Sequence, residues 1–129
     1  SWNLGQNQTF AIDDSINEAG CIHSVQGLEF DYVGVIIGMD MKYRNNHVIT
    51  DYESHGSADP SFKGIKKKLK YSESEARKTA DKLIKNAYRV LLTRGAKGCY
   101  VYCQDEEYRK YIKNIIKTMK FTKECAKIL

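Results

Sequence analysis

Val33-Gly34-Val35-Ile36-Ile37 is a continuous apolar run, and the fold class follows from the segments around it. A short apolar run of this kind is typical of a buried central strand. Residues 99–103, Cys-Tyr-Val-Tyr-Cys, alternate in polarity and predict a second buried strand. Between them, apolar residues recur at helical spacing and predict a covering helix over residues 76–93. Alternation of strand and helix favours an α/β fold, a three-layer αβα sandwich with a mainly parallel sheet.

Shorter elements are predicted before this helix. Asn45-Asn46 tolerates the positive φ of a two-residue turn, so residues 41–44 and 47–50 are expected to form a small β-hairpin insertion. Residues 21–23, Cys-Ile-His, are expected to form a short strand. Residues 51–70 are polar and then basic, without a period, and are expected to form a mobile surface loop.

Two helix starts carry capping residues. Ser72 and Glu75 have the spacing of a capping box at the beginning of the long helix. Asp105 is placed to cap a final helix. The apolar stripe of that final helix consists of Tyr108, Tyr111, Ile112, Ile115, Ile116 and Met119.

Composition and charge limit the class of protein. A chain of 129 residues with 42% hydrophobic content fits one compact domain. It has neither a run of about 18 apolar residues nor a signal-peptide pattern, which predicts a cytoplasmic protein without a membrane partner. Residues 1–60 carry 2 basic and 9 acidic groups, whereas residues 61–129 carry 19 basic and 7 acidic groups. The basic half suits a polyanionic partner, although lysines that merely solvate helix faces would give the same balance.

The four cysteines do not predict a metal site. Their spacing lacks the two CxxC pairs that are typical of zinc binding, so free thiols are expected. The cysteines at 99 and 103 would point to one face of their strand with Val101, where a thiol behaves as a small apolar group.

Two segments carry the functional signal: residues 23–30, His-Ser-Val-Gln-Gly-Leu-Glu-Phe, and residues 90–95, Val-Leu-Leu-Thr-Arg-Gly. The first resembles motif V of superfamily 1 helicases, and the second resembles motif VI, in the same order. Together with further matches over about residues 2–110, they resemble the C-terminal part of a bacterial family of Schlafen-related, helicase-like ATPases. The resemblance implies that residues 1–129 are the second RecA-like domain of a longer motor protein.

The resemblance also implies roles at the nucleotide. Gln26 and Gly27 would form a turn that the nucleotide approaches, and Glu29 would accept a hydrogen bond from a ribose hydroxyl. Arg94 would be the catalytic arginine finger, positioned with help from Thr93. We expect the turn to lie beside the carboxyl ends of parallel strands, with Glu29 and Arg94 at one edge of the sheet. A loop glycine, a solvated glutamate and an arginine in a surface salt bridge are the structural alternatives.

The resemblance places a nucleic-acid strand near the same turn. His23 and Ser24 match motif V positions that touch single-stranded DNA or RNA, although a histidine satisfied within the core is a close alternative. The basic run Lys66-Lys67-Lys68 is a further candidate contact, with a solvated charge run as its alternative.

The sequence lacks the GxxxxGK[ST] phosphate loop and an acidic metal box. ATP and Mg²⁺ would therefore be held mainly by an N-terminal RecA-like domain of the same protein, and this chain alone is expected not to hydrolyse ATP. The leading hypothesis is the C-terminal motor half of an ATP-dependent DNA or RNA helicase or translocase. The alternatives are a non-catalytic nucleic-acid-binding or regulatory α/β module and a purely structural interaction domain.

Overall fold

The computed structural model describes residues 19–55, 62, 64–65 and 70–118. These residues form three helices and four strands of a mixed α/β structure. In chain order the elements are α1 (Ile22–Val25), β1 (Phe30–Ile37), β2 (Met41–Arg44), β3 (His47–Thr50), α2 (Glu73–Leu92), β4 (Gly95–Cys103) and α3 (Glu106–Thr118).

Strands β1 and β4 pair in parallel and form the centre of the described structure. Their register runs from Phe30 opposite Gly95 to Ile37 opposite Cys103, with an irregularity between Phe30 and Tyr32. Alternate residues point to one face, and Val35, Ile37 and Cys103 are all buried there. The predicted strands at residues 33–37 and 99–103 and their parallel pairing are therefore confirmed, but their predicted burial holds on one face only, since Ile36 and Tyr102 are exposed.

Helix α2 covers this face of the sheet. Ala76, Ala80 and Ile84 recur at intervals of four residues, are buried and belong to the same core cluster as Val35 and Ile37. The apolar spacing that predicts the long helix is therefore the spacing of the residues that it buries. The helix predicted over residues 76–93 corresponds to α2.

The two predicted caps have different outcomes. Ser72 occupies the N-cap position of α2, but its side chain makes no capping hydrogen bond. Asp105 does cap α3, because its carboxylate accepts a hydrogen bond from the backbone N–H of Tyr108 at 2.9 Å.

The predicted hairpin is confirmed. Strands β2 and β3 pair antiparallel, with Arg44 opposite His47, across a two-residue turn at Asn45 (φ 50°) and Asn46 (φ 62°). Both turn residues have the positive φ that a type I′ turn requires, and asparagine tolerates this region better than most residues.

The hairpin is fastened to α3 by polar and aromatic contacts. Arg44 donates from both terminal nitrogens to the carboxylate of Asp105, at 3.0 and 2.7 Å. The rings of Tyr43 and Tyr111 stack with their centroids 3.9 Å apart. Both contacts join residues that are more than 60 positions apart in sequence, so they are visible only in the folded chain.

The prediction of a strand at residues 21–23 is wrong. Residues Ile22–Val25 form a single helical turn, in which the backbone N–H of Gln26 donates to the carbonyl of Ile22 at 2.9 Å. The apolar run is too short to specify a strand, and burial of Val25 fixes the turn instead.

One face of the parallel sheet is exposed in the described structure. Tyr32 and Ile36 of β1 retain 59% and 64% of their accessible surface, and Tyr102 of β4 retains 47%. The described residues thus provide the sheet and the helix layer on one face of it.

Two sequence predictions fall wholly or largely outside the described residues. These are the basic run at residues 66–68 and much of the loop predicted at residues 51–70. Among the helices of the described part, none combines the length and the apolar character needed to cross a membrane.

Candidate functional site

The first half of the candidate site is the turn that leads into β1. Helix α1 ends at Gln26, and Gly27 follows with φ +84°, which L side chains rarely adopt. A Cβ built on Gly27 would meet no atom within 4 Å. The glycine is therefore required by the backbone conformation, and the space beside it is open. Gln26 and Glu29 on either side are both exposed.

The second half is the junction between α2 and β4. Thr93 ends the helix, and its hydroxyl donates to the carbonyls of Arg89 and Val90 at 2.9 and 3.0 Å. The backbone N–H of Arg94 donates to the carbonyl of Leu91 at 3.2 Å. Thr93 thereby completes the last turn of the helix and sets the point at which Arg94 leaves it.

Strand pairing brings the two halves together. Phe30 lies opposite Gly95 in the register, and the backbone N–H of Phe30 donates to the carbonyl of Arg94 at 2.9 Å. Glu29 and Arg94 each precede a strand of the parallel pair. The prediction that they lie at one edge of the sheet is confirmed.

The prediction of which edge carries the turn is wrong. The turn was predicted to follow a strand at residues 21–23 and so to lie at the carboxyl ends of the strands. Because that segment is helical, the turn only precedes β1, and the site lies at the amino ends of β1 and β4. Gln26, Gly27, Glu29, Thr93 and Arg94 all belong to this amino edge.

The Arg94 side chain is held by carbonyl oxygens. Its Nε donates to the carbonyl of Val90 at 3.1 Å, and its Nη1 reaches the carbonyl of Leu28 at 3.5 Å. No carboxylate of the described residues lies within ion-pair distance of it, so the surface salt bridge considered as an alternative does not form there. A guanidinium held this way has further N–H donors for an anion.

His23 and Ser24 lie one helical turn before this edge. His23 is exposed, which contradicts the alternative of a histidine buried in the core. The hydroxyl of Ser24 donates to the carbonyl of Cys21 at 2.9 Å. These two residues are the predicted nucleic-acid contacts that lie within the described part of the chain. The third predicted contact, the basic run at residues 66–68, lies outside it.

A buried polar cluster at the other end of β1 was not predicted. Asp40 is 5% exposed, and its two carboxylate oxygens lie 2.7 Å from the hydroxyl of Tyr88 and 2.6 Å from Nδ1 of His55. The Tyr88 hydroxyl also accepts from the N–H of Gly38 at 2.9 Å. Burial and the neighbouring carboxylate raise the pKa of Tyr88, so the phenol stays protonated and acts as the donor.

The cluster ties together the end of β1, helix α2 and the segment after β3. Along the chain, His55 lies 15 residues and Tyr88 lies 48 residues from Asp40. The one sequence signal is an acidic residue directly after a buried strand, and it does not reveal the partners.

Metal-binding groups are not assembled in the described residues. No cluster of three or more histidine, cysteine, aspartate or glutamate side chains there has the arrangement to hold a metal ion. Cys99 and Cys103 form no disulfide with a described residue, and burial raises the pKa of Cys103 to about 11. A thiol of that kind is a packing group, as expected for Cys99 and Cys103.

Comparison with known proteins gives two matches to this chain. The family described as Schlafen group 3, DNA/RNA helicase domain, matches residues 1–105. The uncharacterized protein YPL245W of Saccharomyces cerevisiae is 35% identical over 97 residues, which are 75% of this chain and 20% of that protein. The chain therefore spans about a fifth of this relative's length. The relative is a yeast protein, so it does not support the bacterial assignment. No solved structure matches the chain.

Proposed function

The chain belongs to the Schlafen group 3 DNA/RNA helicase-domain family, and from this premise we propose that it is the second RecA-like half of an ATP-dependent motor on nucleic acid. In this proposal residues 23–30 act as motif V and residues 90–95 as motif VI. The parallel pair β1–β4 would be part of a complete three-layer sandwich in the whole protein, since parallel sheets are ordinarily covered on both faces.

The pairing of Phe30 with Arg94 is the observation that carries the proposal. It brings the Gln26-Gly27 turn and Glu29 to the same edge as a guanidinium that has no carboxylate partner in the described structure. A helix end and a strand start hold Arg94 in place, so its charge is preorganised.

The proposed chemistry of this chain is electrostatic. As the γ-phosphoryl group of ATP is transferred to water, negative charge spreads over its oxygens, and Arg94 would stabilise that charge. Glu29 would hold the ribose, and the open space beside Gly27 would admit the nucleotide. No cluster of three or more possible metal ligands lies among the described residues, and the proposal assigns the phosphate loop and the metal ligands to an N-terminal RecA-like domain.

Single-stranded DNA or RNA is the proposed strand partner of the same edge. His23 is exposed one turn before Gln26 and can donate to a phosphate oxygen. The hydroxyl of Ser24 is engaged by a carbonyl and would have to rotate to do the same. Lys66, Lys67 and Lys68, which lie outside the described residues, stay predicted contacts of the strand.

The test is steady-state ATP hydrolysis by the full-length protein at saturating single-stranded nucleic acid. Arg94→Ala should lower kcat by about 10³-fold or more and change nucleotide affinity less, because an arginine finger acts mainly on the transition state. Arg94→Lys should recover little activity, since an ammonium lacks the planar fork of donors. Lys97→Ala is the matched control, an exposed cation nearby that pairs with Asp31 at 2.7 Å.

A thermal melt shows whether each variant is folded. Near-normal turnover by a folded Arg94→Ala protein would refute the arginine-finger role. If the wild-type full-length protein binds nucleic acid but hydrolyses no ATP, the non-catalytic module is the better description.

A further inference from the structure

The outer face of α2 carries a straight row of cations. Lys78, Lys82, Lys85 and Arg89 are all exposed and follow one another at steps of four, three and four residues. At about 100° per residue, these positions fall within an arc of about 60° on the helix surface. Along the axis they span about 16 Å.

This row lies opposite the side of α2 that packs on the sheet. Ala76, Ala80 and Ile84 are on that inner side and are fully or almost fully buried. The outer face of α2 is exposed in the described part of the chain.

The cations of the row are largely unneutralised. Lys85 pairs with Asp81 at 2.8 Å, and Asp81 also accepts from the hydroxyl of Thr50 at 2.9 Å. Lys78, Lys82 and Arg89 have no ion pair with any described residue. Arg77 of α2 pairs with Glu73 and Lys110 of α3 pairs with Glu106, whereas the exposed Lys113 and Lys117 of α3 have no ion pair with a described residue. The row therefore keeps a net positive charge along three turns.

From this arrangement we propose that the outer face of α2 binds the sugar–phosphate backbone of double-stranded nucleic acid, as a second site away from the amino edge of the sheet. The proposal rests on the proposed nucleic-acid function for the class of partner. A straight row of cations on a rigid helix is complementary to a regularly spaced row of phosphates.

The chemistry of the face favours a duplex over a single strand. Sites for single strands combine charge with aromatic side chains on which bases stack. Tyr88 is the aromatic residue of α2, and it points inward to Asp40. A surface that offers charge without stacking gains most from the partner with the higher charge density, which is the duplex, with about one charge per 1.7 Å of axis.

The experiment measures binding of the 129-residue chain to a mixed-sequence 20-base-pair DNA duplex by fluorescence anisotropy as a function of salt. The variant Lys78→Gln/Lys82→Gln/Arg89→Gln removes the three unpaired cations. Its matched control, Lys110→Gln/Lys113→Gln/Lys117→Gln, removes equal charge from exposed positions of α3. We expect the α2 variant to lose duplex affinity about tenfold or more, and the slope of log Kd against log salt to fall by about 2.7. The control should change affinity less than about threefold.

Three outcomes would overturn the proposal. Equal losses in the two variants would show a nonspecific effect of net charge. A larger loss for the single strand than for the duplex would assign the row to single-strand binding. A loss of binding to phosphatidylserine vesicles without a loss for the duplex would assign it to anionic membranes.

Circular dichroism establishes that both triple variants are folded, and Lys82→Gln alone provides a milder test in the same direction. Failure of this proposal would leave the effect of Arg94→Ala on ATP hydrolysis unchanged, because Arg94 belongs to a separate edge. The two proposals can therefore fail independently.

Discussion

At the scale of single residues, glycines mark where the backbone of this chain is most constrained. A Cβ on Gly95 would overlap the carbonyl oxygen of Gly98 and lie 3.0 Å from Cγ1 of Val33. A Cβ on Gly34, in the paired strand, would meet nothing within 4 Å. Gly95 directly follows Arg94, so the tight approach there also fixes where the candidate arginine leaves the helix.

Gly95→Ala should destabilise the fold by about 2 kcal/mol or more, because the backbone around residue 98 must shift to accommodate the methyl group. Gly34→Ala is the matched control and should change the free energy of unfolding by less than about 0.5 kcal/mol. Urea titration followed by circular dichroism measures both. Equal stabilities of the two variants would show that the close approach at Gly95 does not constrain the backbone.

At the scale of elements, Asp105 joins the hairpin to α3. Its carboxylate pairs with Arg44 and caps the helix at Tyr108, while also accepting from the N–H of Tyr43 at 3.2 Å. The hydrogen bond from Arg44 is the main cause that lowers the pKa of Asp105 to about 2. Asp105 therefore stabilises both the hairpin and α3, and it makes the stability of their junction depend on pH.

The stability of this junction should fall in acid. Because the pKa of Asp105 is lower in the folded protein than the value of about 3.9 expected when unfolded, its contribution is fully present above the unfolded value and is lost as pH falls through about 2. Asp51, whose pKa is also lowered to about 2 by Lys42 and Ser54, adds to the trend.

Asp105→Asn should lower the free energy of unfolding by about 1–2 kcal/mol at pH 7, since the amide retains the helix cap but loses the ion pair. Its stability should also vary less between about pH 4 and 2 than that of the wild type. Urea unfolding across this range is the measurement. An unchanged pH dependence in Asp105→Asn would contradict the assignment of the acid sensitivity to this carboxylate.

At the scale of the whole molecule, the parallel sheet has one packed and one exposed face. Ile37 is 1% exposed and faces α2, whereas its neighbour Ile36 is 64% exposed on the opposite face. In the proposed three-layer sandwich the second face is covered by another layer of the full-length protein.

Ile36→Ala should change the stability of the 129-residue chain by less than about 0.5 kcal/mol, and should destabilise the full-length protein by about 2 kcal/mol or more. Ile37→Ala, the control, should cost about 2–5 kcal/mol in both. Thermal and urea unfolding of the two lengths of chain supply the comparison. An Ile36→Ala effect that stays negligible in the full-length protein would argue against a covering layer.

The sequence alone determined the local elements and their order. Apolar periodicity specifies β1, α2 and β4, Asn45-Asn46 specifies the hairpin, and Asp105 specifies a helix start, because each depends on residues close in the chain. The family, too, is recognisable from the order of two short segments. The three-residue run at 21–23 misled because it is too short for its period to distinguish a strand from a helical turn.

Only the tertiary structure decided which distant residues are in contact. Three sets of contacts join residues that are far apart in sequence: the pairing of Phe30 with Arg94, the partners of Asp40 and the Arg44–Asp105 ion pair. The exposure of one side of the sheet depends on what covers that surface. Strand register and packing set these contacts, and neither is a property of a local segment. The amino edge was missed for this reason: the side of a sheet on which a turn lies depends on which neighbouring segments become strands.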